Sequence, residues 1–171
     1  MIVKMSKNLV KVLLCSMFLI SCGKKTETPK KEPFTYENKT ESTKVSVDPN
    51  DVVITADDAM QFNKTEIKVI AGKKVKVTLK HIGKMGKNVM GHNFVLLKKG
   101  VSVKTFGNKA ASATKTDFIP EDTQDVIVHT KLIGGGETAV IEFDAPELGT
   151  YDFLCSFPGH YALMKGKFIV E

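Results

Sequence analysis

The sequence predicts an all-β domain: a two-sheet antiparallel sandwich with Greek-key connections, about eight strands and a short helical insertion. Three observations predict it. After Val45 no sustained helical period occurs. Short segments instead alternate apolar and polar residues, as strands with one wet face do. Breakers separate them at the spacing of a sandwich, among them Lys99-Gly100, Gly134-Gly135-Gly136, Ala145-Pro146 and Leu148-Gly149. In chain order, Val52–Ile54 is a short apolar run. Ile67–Ile70 (IKVI) and Val75–Leu79 (VKVTL) alternate, with Ala71-Gly72-Lys73-Lys74 as the turn between them. Phe94–Leu97 (FVLL) is apolar throughout and reads as a buried strand. Val126–His129, Ala139–Phe143, Tyr151–Cys155 and Gly166–Val170 complete the set. Val101–Thr116 fits no strand pattern, and Ala110–Thr114 is the candidate helix within it.

This domain, residues 46–171, follows two segments of different character. Residues 1–21 read as a signal: a basic start to Lys11, then nine apolar residues, Val12–Ile20. A spanning helix needs about 20 such residues, whereas a signal core needs about 7–15. The run ends in Leu19-Ile20-Ser21-Cys22, which resembles the lipobox of bacterial lipoproteins. That resemblance implies cleavage before Cys22 and acylation of its sulfur. Several acyl chains exceed the single chain that binds membranes only marginally, so a stable anchor is expected. Residues 22–45 are rich in Lys, Glu, Thr and Pro, bury too little apolar surface to offset ordering, and read as a disordered tether. The expected location is the periplasmic side of a bacterial membrane.

With 171 residues there is room for one domain and these additions, not for a two-domain enzyme with a deep cleft. Every basic residue is lysine. Once the signal is removed, 22 basic side chains face 19 acidic ones. Without arginine or a strong basic excess, nucleic-acid binding is excluded. Of the three cysteines, Cys15 leaves with the signal and Cys22 carries lipid, so Cys155 is left alone in an oxidising compartment. Metal coordination would protect it. Cys155–Met164 reads C-x4-H-x3-M, and His92 stands ahead of the apolar run Phe94–Leu97. Two imidazoles and a thiolate with a weak axial thioether form the ligand set of blue-copper electron carriers. Zinc, the rival metal, prefers four strong nitrogen and sulfur ligands.

Asn88-Val89-Met90-Gly91-His92-Asn93, Val128–Gly134 (VHTKLIG) and Cys155–Gly166 resemble the azurins, a family of blue-copper cupredoxins, as does Asp57–Asn63 (DDAMQFN). The similarity runs from about Val52 to Val170. It implies one copper ion held by His92, Cys155 and His160, with Met164 as axial sulfur and the Gly91 carbonyl opposite. Glycine suits that place because no side chain blocks the approach of its carbonyl. Behind the ligands the resemblance implies Asn93, Ser156 and Phe157, with Asn93 bonded near Ser156 and main-chain N–H groups aimed at the sulfur. Phe157 joins Met85, Val89, Met90, Pro158, Gly159, Ala162 and Leu163 in an apolar collar around His160, through which partners dock. His81 and His129 match family histidines that do not bind copper.

The chain departs from the family in three ways. Azurins commonly join their first and third strands by a disulfide, where this chain has Asn50 and Gly72-Lys73, so a looser first strand is expected. The tryptophan of some azurins is Phe94 here. The lipid-bearing terminus is an addition. The function expected is that of a one-electron carrier, not an enzyme, with no small-molecule substrate. Its partners would be redox proteins such as c-type cytochromes, a peroxidase or a reductase. A copper storage or delivery lipoprotein is the alternative.

Overall fold

The structure, a computed structural model, describes residues 48–171. The expected signal (1–21), the lipid-bearing Cys22 and the tether (22–45) lie outside the described residues. No helix among those described is long and apolar enough to cross a membrane.

The alternating segments become strands because each buries every second side chain. In β1 (Asp51–Ala56), Val52, Ile54 and Ala56 face inward, and β2 (Glu66–Val69) contributes Ile67 and Val69. β3 (Lys74–His81) buries Val75, Val77, Leu79 and His81. β4 (Val95–Leu97), β5 (Val126–His129), β6 (Thr138–Asp144), β7 (Gly149–Leu154) and β8 (Lys165–Val170) follow. One sheet has the order β1-β3-β6 and the other β2-β8-β7-β4-β5. Their facing sides enclose a core in which the Phe94 ring stacks on Phe153 at 5.2 Å. Phe94 thus fills its place as packing, with no polar edge to satisfy.

The sandwich is not wholly antiparallel, as the sequence led us to expect. Four strand pairs are antiparallel, but β1–β3 and β2–β8 are parallel. The reason is that β1 and β2 do not form a hairpin. The segment between them crosses from one sheet to the other, and each strand joins an edge of a different sheet.

β4 is apolar throughout because both its faces are covered. Leu96 points into the main core, while Val95 and Leu97 join a second cluster with Phe106, Ala110, Ile119 and Leu154. That cluster lies under a helix displaced from the expected position. It is Val103–Ala110, not Ala110–Thr114, where only a separate 3₁₀ turn at Thr114–Thr116 forms. We number this helix α2, after a single turn α1 (Lys87–Met90) that the sequence did not signal. Ser102 caps α2 by accepting the Thr105 N–H at 3.3 Å, and Phe106, Gly107 and Ala110 form its buried stripe. Gly107 disguised the helix, since glycine costs about 1 kcal/mol in a helix interior. It is needed there because the Tyr161 ring fills the space a Cβ would take.

The looser first strand expected from the missing disulfide is replaced by a hydrogen-bonded bracket. Asn50 is buried, and its amide both donates to the Ile70 carbonyl (3.0 Å) and accepts from the Ile70 N–H (2.9 Å). Its own carbonyl accepts the Lys76 N–H at 2.8 Å, so one residue ties β1 to β3 and to the end of β2. Removing the amide leaves buried backbone groups unpaired, at about 1–3 kcal/mol. Asn50→Ala should lower the urea midpoint of unfolding by that equivalent with the slope unchanged.

Candidate metal centre

Four loops meet at one end of the sandwich and bring together residues far apart in sequence. His92 follows α1 and is held by a two-bond bridge to Ile133, with both N···O distances 2.9 Å. Cys155 lies one residue past β7, and its N–H donates to the Met164 carbonyl at 3.0 Å, closing the ligand loop against β8. Inside that loop Gly159 takes φ 82°, a left-handed turn that glycine adopts without strain. The turn starts a 3₁₀ segment, His160–Ala162, in which Leu163 and Met164 N–H groups both reach the His160 carbonyl. Loop closure, rather than the sandwich as a whole, sets the spacing of Cys, His and Met.

The ligand atoms of His92, Cys155 and His160 all lie within 4.8 Å of one another. Cys155 Sγ is 3.8 Å from His92 Nδ1 and 3.7 Å from His160 Nδ1. Metal–nitrogen bonds of about 2.0–2.1 Å and a metal–sulfur bond of about 2.3 Å, set about 120° apart, separate nitrogen from sulfur by about 3.8 Å. The two observed sulfur–nitrogen spacings suit ligands that share one metal ion. Met164 is fully buried in the same core cluster as Cys155. The Gly91 carbonyl stands 3.8 Å from the sulfur.

Gly91 is required for a reason other than the one expected. Its backbone is extended (φ −70°, ψ 142°), and a Cβ there would strike the Lys87 carbonyl and come within 2.9 Å of Leu132 Cδ2. The absent side chain makes room for α1 and Leu132, and the carbonyl's approach follows from that packing.

Neighbouring groups fix the ligands. His92 Nε2 lies 2.9 Å from the Asp57 carbonyl, to which it can only donate, so Nδ1 carries the free lone pair toward the sulfur. The Asn93 amide accepts the Ser156 N–H (2.8 Å) and donates to Ser156 Oγ (2.8 Å) and the Asp117 carbonyl (3.0 Å). The bond to Ser156 was expected; that to Asp117 was not. Asp117 and Phe118 both have positive φ (53° and 61°), an uncommon state for residues with side chains. The Asp117 carboxylate also accepts the Leu132 N–H at 3.1 Å, so the loop is pinned from two sides. Phe118 packs edge-on against Phe157, whose ring lies 4.6 Å from that of His160. Nothing in the sequence around Thr116–Ile119 signals this support, because it depends on a contact 24 residues away.

The remaining expected residues are distributed as follows. Met85, Val89, Pro158, Gly159, Ala162 and Leu163 are exposed, and Met90 and Phe157 are half-buried. His81 is buried beside His92 but accepts the Gly83 N–H at Nδ1 and donates from Nε2 to the Met90 carbonyl, leaving no lone pair for a metal. His129 is exposed, with Nδ1 3.0 Å from the Thr130 carbonyl.

Burial sets the protonation of the ligands. It pushes the Cys155 thiol up to about 12, although the N–H groups of Asn93 and Phe157 aimed at the sulfur pull the other way. Burial, with the neighbouring His92, brings His160 down to about 4, and burial likewise lowers His92. At neutral pH the metal-free site thus holds two ready imidazoles and one thiol that must lose its proton.

The model of the copper-binding proteins of the plastocyanin/azurin family matches residues 49–171. Azurin-1 of Alcaligenes xylosoxydans xylosoxydans is 46% identical over 119 residues, covering 67% of this chain and 92% of the relative. Outer membrane protein H.8 of Neisseria meningitidis serogroup B is 44% identical over 117 residues, covering 67% of this chain but only 63% of that protein. Among solved structures, auracyanin A, described as a "blue" copper protein from Chloroflexus aurantiacus, superposes with a TM-score of 0.65 at 33% identity, over 71% of this chain and 98% of that one.

The protonation states give a test with a sign. At pH 8 both imidazoles are neutral and the thiol is protonated, so metal uptake there should release about one proton, not three. Affinity for Zn(II), a probe the thiol cannot reduce, should fall about tenfold per unit as pH drops, and more steeply near pH 4 as His160 charges. Calorimetry in buffers of different ionisation enthalpy measures both.

Proposed function

The chain belongs to the plastocyanin/azurin family of copper-binding proteins, and from that premise we propose that it carries single electrons between redox partners at a bacterial membrane. Its cofactor is one copper ion held by His92, Cys155 and His160 with Met164. Bound there, copper supplies a one-electron couple, with no substrate bond made or broken. The observation that carries the reading is the convergence of two imidazole nitrogens and one thiol sulfur within 4.8 Å of one another in a buried site.

The chain's own residues supply rigidity and a route. Asn93 and the Cys155–Met164 closure hold the ligand positions, so little has to move when charge arrives or leaves. Asn93 and Phe157 N–H groups favour negative charge on the sulfur. His160 is 4% exposed while His92 and Cys155 are fully buried, so it is the ligand nearest solvent. Met85, Val89 and Leu163, each 45% exposed or more, supply an apolar face at this end of the molecule for a partner. A c-type cytochrome, a peroxidase or a reductase has the right chemistry to be that partner. Delivery of copper is less well served, since an enclosed ligand set with its shape already fixed retains metal instead of releasing it.

Anchoring through Cys22 would hold the domain on the periplasmic side of the membrane. The name of the Neisseria relative, an outer membrane protein, agrees with such a location. A tether of residues 22–45 reaches on the order of 25 Å at about 5–6 Å times √n. The domain could then pivot between membrane-bound partners without leaving the surface.

Two measurements follow. Cu(II) added to the metal-free protein should produce an intense blue colour that a mild reductant bleaches reversibly. Cys155→Ser should abolish it, and Met164→Ala should keep it with a changed potential; copper uptake without colour would instead favour storage. Growth with labelled palmitate should mark the wild type, and Cys22→Ser should lose both the label and the membrane fraction.

A further inference from the structure

We propose that Tyr161, set into a socket on α2 made by Gly107 and Asn108, is the positioning residue for His160. This rests on His160 as a ligand of the electron-carrying metal, as proposed above.

The two halves of the ligand loop are held in different ways. Its first residues are tied sideways to the rest of the molecule, Ser156 to Asn93 by hydrogen bonds and Phe157 edge-on against Phe118. From Gly159 onward the backbone bonds turn inward. The His160, Ala162, Leu163 and Met164 N–H groups go to the carbonyls of Phe157, Gly159 and His160, all within the loop. Those bonds shape the turn but fasten it to nothing outside. Over residues 158–163, one side-chain hydrogen bond among the described residues leaves the loop. It runs from the Tyr161 hydroxyl to Asn108 Oδ1 at 2.7 Å. Tyr161 follows His160 directly in one 3₁₀ segment, so holding its ring holds the backbone that aims the imidazole.

The socket is shaped for that ring. Gly107 lies inside α2, and its φ is not positive, so the backbone itself does not require glycine. A Cβ there would overlap Cγ and Cδ1 of the Tyr161 ring. The helix therefore carries a poor helix former at the one place where the ring must enter. Beneath it the ring packs on the cluster of Phe106, Ala110 and Leu154, which is separate from the core holding Cys155 and Met164. The sulfur ligands thus rest on the main core, and His160 is tied through Tyr161 to the second. Fixing His160 before metal arrives removes an ordering cost from binding. It also limits how far the imidazole can shift as charge arrives or leaves.

The test uses the full-length protein in detergent at pH 8, first metal-free and then loaded with Zn(II). NMR spectra of the His160 ring nitrogens report its position without metal, and stopped-flow chelation reports Zn(II) release. Gly107→Ala favours the helix but expels the ring. It should broaden or double the His160 ring signals and speed release about tenfold. Tyr161→Phe should speed release about threefold. Asn108→Ala should match it, with no further gain when the two are combined. Asn108→Asp keeps an acceptor oxygen and should stay within about twofold of wild type. Ser102→Ala removes the cap of α2 without touching the socket, and should leave release within about twofold and the ring signals unchanged. Equal effects of Ser102→Ala and Gly107→Ala would reduce the socket to helix stability and overturn the proposal. Unchanged ring signals and release in Gly107→Ala would overturn it too, as would additive effects of Tyr161→Phe and Asn108→Ala. Copper uptake by the wild type without blue colour would instead reject the electron-carrier reading, on which neither the metal-free spectra nor Zn(II) release depends.

Discussion

One amide side chain holds the centre together. Asn93 reaches from the segment that carries His92 to both the backbone and the hydroxyl of Ser156, next to Cys155, and its remaining donor goes to Asp117. It thereby fixes three chain segments to one another before any metal arrives. Such a fully satisfied network is worth having only in a dry place, where an unpaired amide costs the most. Here Asn93 and Ser156 are fully buried, and no buried side-chain nitrogen or oxygen among the described residues lacks a partner. The ligand spacing of 3.7–3.8 Å follows from that scaffold. A metal that binds to it need not pay to organise the loops.

The same burial that shapes the site makes its charge state unusual. A thiol held near 12 resists ionisation, so a metal must replace both the proton and the water that a thiolate would otherwise require. The protein offsets part of that cost with two backbone N–H groups aimed at the sulfur, and none of it with a nearby side-chain cation. Enclosure and selectivity therefore come together: a thioether and a distant carbonyl complete the surroundings, and neither substitutes for the fourth strong ligand zinc prefers.

Legibility in the sequence tracked how local each signal is. The alternation in Val75–Leu79 and the apolar run Phe94–Leu97 located strands because side-chain period and burial are local properties. C-x4-H-x3-M was readable because one loop supplies three ligands, and His92 because an apolar strand follows it. The helix at Val103–Ala110 was misplaced, since Gly107 lowers the local preference while Tyr161, 54 residues away, demands that glycine. Parallel pairing of β1 and β2 depends on which sheet edge each one meets, and no residue in either strand records that. Asp117, Phe118 and the Asp57 carbonyl support the ligands through backbone atoms or a strained loop, neither of which leaves a motif. Asn50 shows the reverse: read as a missing crosslink, it is a different solution to the same problem.

The bond from the Cys155 N–H to the Met164 carbonyl gives the ligand loop a clasp at its two ends. Residues 156–163 form an arch standing on one fixed span, attached elsewhere by Ser156 to Asn93, Phe157 to Phe118 and the Tyr161 hydroxyl to Asn108. An arch of this kind can be lengthened, shortened or recoloured in composition while its footings stay put. Changes in redox tuning and partner choice then have a module to act on that is separable from the two-sheet sandwich beneath it. For protein engineering, the arch is the unit to transplant, with Asn93, Phe118 and Asn108 as the seats it must find in its new host.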